Sequence, residues 1–303
     1  MSYINGLISL CDSFGCRYRK DESLKEHTTF KIGGKCSIAV FVNGEASLAA
    51  IVSYCRENNV KFAVLGNGSN IIAEDRFFDG VVIIIGNDFA KINYIKDGVI
   101  ECEAGLMLTR LCVTARNEGY TGLEFAYGIP GTVGGALYMN AGAYGGQMSD
   151  VVVSCDYLDT DGEVRTISSE CMDLSYRHSA FMGSGRIILR VRVKLNKGSV
   201  NEIEQKMEEL ITKRRDKQPL NFPSAGSTFK RPKDNVFAAA LIEQCGLKGF
   251  SVGDAQVSEK HSGFVINKGN ATYEDLMSLV EHVREKVKTD TGYELELEPE
   301  ILK

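Results

Sequence analysis

The pattern of apolar and polar positions divides the chain into strand-like and helix-like stretches. "FKIGGKCSIAVFV" (30–42) alternates as a strand, and "ASLAAIVSYCRENNV" (46–60) carries apolar residues at helical spacing. "KFAVLGNGSNIIAED" (61–75) follows as strand, tight glycine loop and strand, which makes a β-α-β opening. "GVVIIIG", "INYIKDGVIECEAG" (92–105) and "RLCVTARNEGY" continue as strand, hairpin turning at Asp97-Gly98, and helix. A second hairpin, 151–168, turns at Asp161-Gly162 and leads to the strand "RIILRVRVKLN" and the amphipathic helix 199–218. Beyond Pro219 the texture changes. A helix in "NVFAAALIEQCGLKGF" stops at Gly246, and a long helix (273–293) runs into the alternating strand "ELELEPEI" (294–301). The pattern predicts an α+β chain with a smaller C-terminal α+β portion and a boundary near 200–218.

Composition narrows the function classes. At 303 residues, with 44% hydrophobic and 25% charged positions, the chain has a globular protein's core material. Its net charge of -5 and its lack of a long basic run speak against nucleic acid as a partner. The longest apolar run is far too short to span a bilayer, and the first residues carry no basic leader. Nine cysteines, an odd number with no C-x-x-C pair, fit a reducing compartment, so the expectation is a cytoplasmic enzyme, with Cys102, Cys112 and Cys245 as buried, inert thiols. No obligate protein partner and no metal site are evident.

Two glycine-rich segments carry the strongest chemical signal. "GNGSN" supplies Gly66, Asn67, Gly68, Ser69 and Asn70, whose backbone N–H groups, hydroxyl and amides suit an anion nest; the same composition also makes an ordinary turn. "AYGIPGTVGGALYMNAGAYGG" (126–146) holds seven glycines. Pro130-Gly131 fixes a turn, Thr132 caps a following helical turn, and unpaired N–H groups there suit a pyrophosphate. Tight packing of small residues is the equal alternative. Two such loops, each after a strand, are placed to hold a dinucleotide's pyrophosphate between them. Elsewhere, "LSYRHSAFM" offers the Arg177 fork to a carboxylate or phosphate, while His178 reads as a hydrogen-bonded neighbour. "PSAGSTFKRP" presents Ser227. Alternation puts Glu294, Glu296, Glu298 and Glu300 on one strand face.

In this order "TTFKIGG", "VLGNGSN", "GIPGTVGGALYMNAGAYGG", "YRHSAF", "PSAGSTFK", "AQVSEKHSGFVIN" and the glutamate-rich end resemble the UDP-N-acetylenolpyruvoylglucosamine reductase (MurB) family, in its shorter subtype. The resemblance runs from about residue 27 to the C-terminus. It implies an FAD-binding module of two α+β subdomains, near 1–90 and 91–218, followed by a substrate domain, 219–303. It implies non-covalent FAD, NADPH as co-substrate and a UDP-sugar substrate. Gly66 to Asn70 and Pro130, Gly131, Thr132, Gly134 and Gly135 would then hold phosphates, with Asn140, Ala141, Gly142 and Tyr144 near the flavin and Tyr127 and Tyr138 in the core. Arg177, Ser227 and a C-terminal glutamate match the catalytic set: donor to the substrate carboxylate, proton donor to carbon, and companion donor. Family spacing counted from Gly292 favours Glu298, and Glu300 is the alternative because Pro299 interrupts the motif. Tyr176, Arg214, Lys217, Lys230, Gln256, His261 and Asn267 are expected at the nucleotide sugar; apart from the resemblance, Lys230 is the nearest candidate in the sequence to support Ser227. Oxidases of the same superfamily often attach flavin through histidine, and "GNGSN" has none. A catalytically silent flavin binder would be free to lose the catalytic set that is present here.

Overall fold

The computed structural model describes residues 2–94 and 96–303; Met1, and Ile95 of the predicted 92–105 hairpin, lie outside the described residues. Among the described residues the α-helices are α1 (Ser2–Phe14), α2 (Glu45–Glu57), α3 (Leu108–Asn117), α4 (Val133–Tyr138), α5 (Val200–Lys217), α6 (Ala238–Gln244) and α7 (Tyr273–Thr291). The chain folds as two compact units: Met1–Lys20, Ile38–Asn67 and Gly80–Lys213 form one, and Asp21–Ser37, Gly68–Asp79 and Arg214–Lys303 form the other.

In the first unit, α2 buries Leu48, Ile51, Val52 and Cys55, the spacing of one helical face. Strand Phe62–Leu65 pairs in parallel with the 81–84 segment, Phe62 opposite Val81 and Leu65 opposite Ile84. A five-stranded antiparallel sheet follows the spatial order 164–168, 152–158, 187–194, 99–103, 92–94. Its first predicted turn has Asp97 and Gly98 both at positive φ (61° and 80°), a backbone that Asp and Gly adopt more readily than most residues.

On this sheet Asp156 is 4% exposed. It accepts hydrogen bonds from Arg192 Nη1 and Nη2 (both 2.8 Å), Arg190 Nε (3.0 Å) and Thr166 Oγ1 (2.7 Å). Burial pushes its carboxyl up, but the donors from Arg192, Thr166 and Arg190 overcome that and hold it at about 2. A depressed folded value contributes stability that is complete above the unfolded value of about 3.9 and lost as pH falls toward the folded one. Asp156→Asn is therefore expected to destabilise the protein by about 2 kcal/mol at neutral pH. In urea unfolding the gap to the native chain should close between about pH 4 and pH 2.

The second unit is built on Phe30, Ile32 and Ile72 packed with Phe229 and with α6 and α7. Helix α7 starts with a capping box in which Asp275 N–H donates to Thr272 Oγ1 and Thr272 N–H to Asp275 Oδ2, both 3.0 Å. It ends at Gly292 in the left-handed conformation (φ 76°) and buries Leu276, Leu279, Val280, Val283 and Val287. Strands Ser251–Val252, Ala255–Val257 and Val265–Asn267 make an antiparallel meander. Strand Ile71–Ala73 pairs in parallel with Glu300–Leu302, which is why residues 68–79 pack with the C-terminal segment.

Candidate active site

The two glycine-rich segments meet within the first unit. Asn67 Nδ2 donates to Pro130 O at 2.6 Å, and a Cβ on Gly66 would lie 2.4 Å from Thr132 Oγ1. The expected juxtaposition is present, but the expected source of anion donors is not. Val133 N–H donates to Leu106 O (2.7 Å), Gly134 N–H to Ala104 O (2.9 Å) and Gly135 N–H to Thr132 Oγ1 (3.2 Å), so the first amides of α4 are engaged by the protein itself. Gly134 serves this packing, since its Cβ would fall 2.7 Å from Ala104 Cβ. The evenly poised reading of this segment thus resolves toward tight packing at α4.

Loop 66–70 behaves differently. Its carbonyls are the engaged groups: Gly68 O accepts from Thr29 N–H (3.2 Å) and Asn70 O from Glu300 N–H (2.9 Å). Among the described residues none accepts from the amides of Gly66 to Ser69. An amide edge with its carbonyls tied back suits the diphosphate of a dinucleotide, and Ser69 adds a hydroxyl. Gly68 has φ +61°, and a Cβ there would meet His27 O at 1.9 Å. Gly68→Ala should therefore cost about 2–3 kcal/mol in urea unfolding and weaken flavin retention on gel filtration.

The downstream half of the segment supports Arg177. Ser175 and His178 exchange two backbone hydrogen bonds of 3.2 Å around a tight turn. Arg177 sits in it at φ 55° and donates from Nη2 to Gly142 O at 3.2 Å. Its guanidinium carbon lies 5.1 Å from the Tyr176 ring centroid. His178 Nε2 is 3.2 Å from Asp173 Oδ2, the neighbour role expected of it. Asn140 is fully buried, and both ends of its amide contact protein: Nδ2 donates to Ser175 O (2.8 Å) and Oδ1 accepts from Ser149 N–H (2.9 Å). Tyr127, Tyr138 and Ala141 pack against the core, while Tyr144 stays 45% exposed.

In the second unit Ser227 is half-buried, one residue after Gly226 at φ 77°. The next residue fixes the segment: Thr228 N–H donates to Gly263 O, and Thr228 Oγ1 accepts from Val265 N–H, both 2.8 Å. The glutamate-rich end is not one continuous strand. Leu297 forms a single bridge with Phe229, and regular strand begins only at Glu300. Pro299, lacking an N–H and fixed in φ, stands at the bend between them. Leu295 and Pro299 are buried, which leaves the glutamates on the opposite face. Glu294 pairs with Lys288 and Glu296 with Lys230 (2.7 and 2.5 Å); these two are exposed, whereas Glu298 and Glu300 are half-buried. Glu298 is tied by its backbone, N–H to Thr228 O (2.9 Å) and O from Asn70 Nδ2 (3.4 Å).

The remaining candidates separate. Lys230 stands on Glu296, so its ammonium has a partner other than Ser227. Asn267 is buried, with Nδ2 on Phe30 O and Oδ1 accepting from Gly269 and Ala271 N–H. Gln256 Nε2 donates to Gly249 O and Ser251 Oγ. All these amides hold the fold. His261 Nδ1 accepts from Gly263 N–H at 3.1 Å, which leaves Nε2 to carry the proton. Burial, aided by Lys248 and Lys217, pushes its pKa below the usual value. Lys217 is exposed and Arg214 half-buried at the end of α5. Burial raises the Cys11 and Cys55 thiols to about 12 and pushes Cys102, Cys112 and Cys155 up as well; Cys102 and Cys112 are the buried thiols expected, whereas Cys245 is only half-buried. Sequence reasoning gave no role to Thr29, which holds Gly68 O through its amide and Ser224 O through its hydroxyl (2.7 Å). Its only signal was its place in "TTFKIGG".

Fold and loops together define a flavin-binding protein: residues 36–168 match the FAD binding domain family, a span that contains both glycine-rich segments. Residues 218–302 match the family described as UDP-N-acetylenolpyruvoylglucosamine reductase, C-terminal domain. The chain belongs to the UDP-N-acetylenolpyruvoylglucosamine reductase family. The reductase of Clostridium novyi (strain NT) is 44% identical over 281 residues, covering 92% of this chain and 90% of the relative. That of Clostridium tetani (strain Massachusetts / E88) is 42% identical over 303 residues, covering 99% and 96%. The crystal structure of the Thermus caldophilus reductase (MurB) superposes with a TM-score of 0.79 at 33% identity, covering 95% of this chain and 99% of that one. No helix among the described residues is long and apolar enough to cross a membrane.

Proposed function

We propose that this chain reduces the enolpyruvyl ether of UDP-N-acetylglucosamine to the lactyl ether, UDP-N-acetylmuramate, with NADPH as hydride source, in the cytoplasmic synthesis of peptidoglycan precursors. The observation that carries the reading is the relation to a reductase of that name at 42% identity over 99% of the chain. Bound FAD would supply the hydride-transfer chemistry between NADPH and the methylene carbon of the substrate. The amides of loop 66–70 that no described residue engages, with the Ser69 hydroxyl, are the groups suited to hold its diphosphate.

Hydride addition places negative charge on the carbon next to the carboxylate and, by conjugation, on the carboxylate itself. Arg177 meets that charge with a planar fork; its bond to Gly142 O fixes the guanidinium. Ser227 delivers a proton to the neighbouring carbon, so the two hydrogens added across the double bond come from NADPH and from the hydroxyl. For the companion carboxyl we place Glu300 ahead of Glu298. Its N–H is bonded to Asn70 O of the flavin loop, it begins a paired strand, and its half-buried side chain has no ion-pair partner among the described residues. Lys217 and Arg214, with the His261 Nε2–H as a neutral donor, are the groups we assign to the UDP diphosphate. Mass spectrometry of the UDP-sugar after turnover tests the assignment. One product with two added hydrogens per NADPH consumed supports it; NADPH oxidation with an unchanged UDP-sugar would refute it.

A further inference from the structure

We propose that Asn140 is the positioning residue for Arg177, setting both the turn that carries this arginine and the hairpin carbonyl that orients its guanidinium. The inference rests on the assignment of Arg177 to the substrate carboxylate.

The turn has little stability of its own. Arg177 occupies the left-handed region at φ 55°, which non-glycine residues adopt in only a few per cent of cases. Its neighbour Tyr176 is 42% exposed. A strained turn persists only where its surroundings over-determine it. Here the clamp comes from Tyr138 at the end of α4 and Asn140 just after it. Asn140 Nδ2 donates at 2.8 Å to Ser175 O, the carbonyl that also accepts from His178 N–H at the base of the turn. On the far side, Ser179 Oγ donates at 2.6 Å to Tyr138 O.

Asn140 also fixes the other end of the arginine. Its Oδ1 accepts from Ser149 N–H (2.9 Å), just past the hairpin in which Gly142–Ala143 pairs with Gly146–Gln147. Gly142 O of that hairpin receives Arg177 Nη2. One buried amide, itself at φ 42°, therefore joins the backbone under Arg177 to the backbone that aims its fork. Asparagine is among the side chains that tolerate this conformation, and its amide offers both the donor and the acceptor used here. The alternative, direct contact between the Asn140 amide and flavin, is disfavoured because both of its polar atoms already face protein.

Misplacing a catalytic fork by about 1 Å costs up to roughly a hundredfold. The test uses the flavin-loaded protein and follows both half-reactions in Asn140→Ala, Arg177→Ala and the double variant, with Ser179→Ala as a milder break of the same clamp. Expected for Asn140→Ala is a native flavin spectrum, an unchanged rate of flavin bleaching by NADPH, and reoxidation by the enolpyruvyl substrate slowed about tenfold to a hundredfold. The double variant should be no slower than Arg177→Ala alone, because the positioning effect vanishes once the positioned group is gone. Ser179→Ala should show the same selectivity at a severalfold level, which keeps the test decisive if Asn140→Ala does not fold. Losses that multiply in the double variant, or equal losses in both half-reactions, would overturn the positioning role. If Arg177→Ala reoxidises at the native rate, the assignment of Arg177 falls; if it is slow while both clamp variants are native, the positioning role alone falls.

Discussion

Ser227→Ala is expected to leave flavin bleaching by NADPH at the native rate and to slow reoxidation by the enolpyruvyl substrate about 10²–10⁴-fold, the range a positioned general acid contributes. Nothing in the first half-reaction asks for a proton on carbon. In the second, the carbanion-like centre left by hydride addition collapses back unless a proton reaches it. Ser227 is suited by its setting rather than by intrinsic acidity: it is half-buried and carried by a segment pinned at Thr228 from two sides. Removing a hydroxyl there disturbs little packing, so folding and flavin content should be native. Stopped-flow absorbance at the flavin band reads both rates on one sample. Equal slowing of the two would remove Ser227 from the proton-donor role.

The second large effect falls on the carboxyl. Glu300→Ala is expected to lower the reoxidation rate about 10²–10³-fold, as loss of one preorganised donor to a developing anion does. Glu300→Gln, which keeps an N–H donor of similar shape, should retain more activity than the alanine variant. Glu298→Ala should lose less than Glu300→Ala, since Glu298 stands before the bend at Pro299 and outside the paired strand that Glu300 begins. Glu294 and Glu296 are excluded as candidates by their exposure and their lysine partners. Parallel rates for the four variants decide between the two inner glutamates. A larger loss at Glu298 than at Glu300 would return the role to the residue that motif spacing favours.

Much of the fold was legible because side-chain period reports directly on burial. The face of α2, the long α7 with its cap at Gly292, and the Asp97-Gly98 and Asp161-Gly162 turns all follow from residue type and spacing. The polar strand Arg17–Ser23 was not legible, since "RYRKDES" offers no apolar alternation. Nor could periodicity reveal that residues 21–37 and 68–79 pack with the C-terminal segment, because parallel pairing joins strands far apart in sequence.

In the site, the chain signals which groups exist but not which are already engaged. Thr132 was readable as a cap, and it does accept from Gly135 N–H; the carbonyls of Ala104 and Leu106 that engage the neighbouring amides were not readable. Asn140, Gln256 and Asn267 have the composition of ligand groups and the contacts of structural ones. Pro299 lay in plain view, but where it bends the chain depends on Phe229 on one side and Ile71 on the other.

The central claim is that one bound flavin passes hydride from NADPH to the enolpyruvyl UDP-sugar. The most direct measurement is an anaerobic titration of the purified yellow protein. NADPH should bleach the flavin band at one equivalent per flavin, and the enolpyruvyl substrate added afterwards should restore it with the lactyl ether formed in equal amount. A colourless protein, a flavin that NADPH leaves oxidised, or a bleached flavin that the substrate cannot recolour would contradict the account.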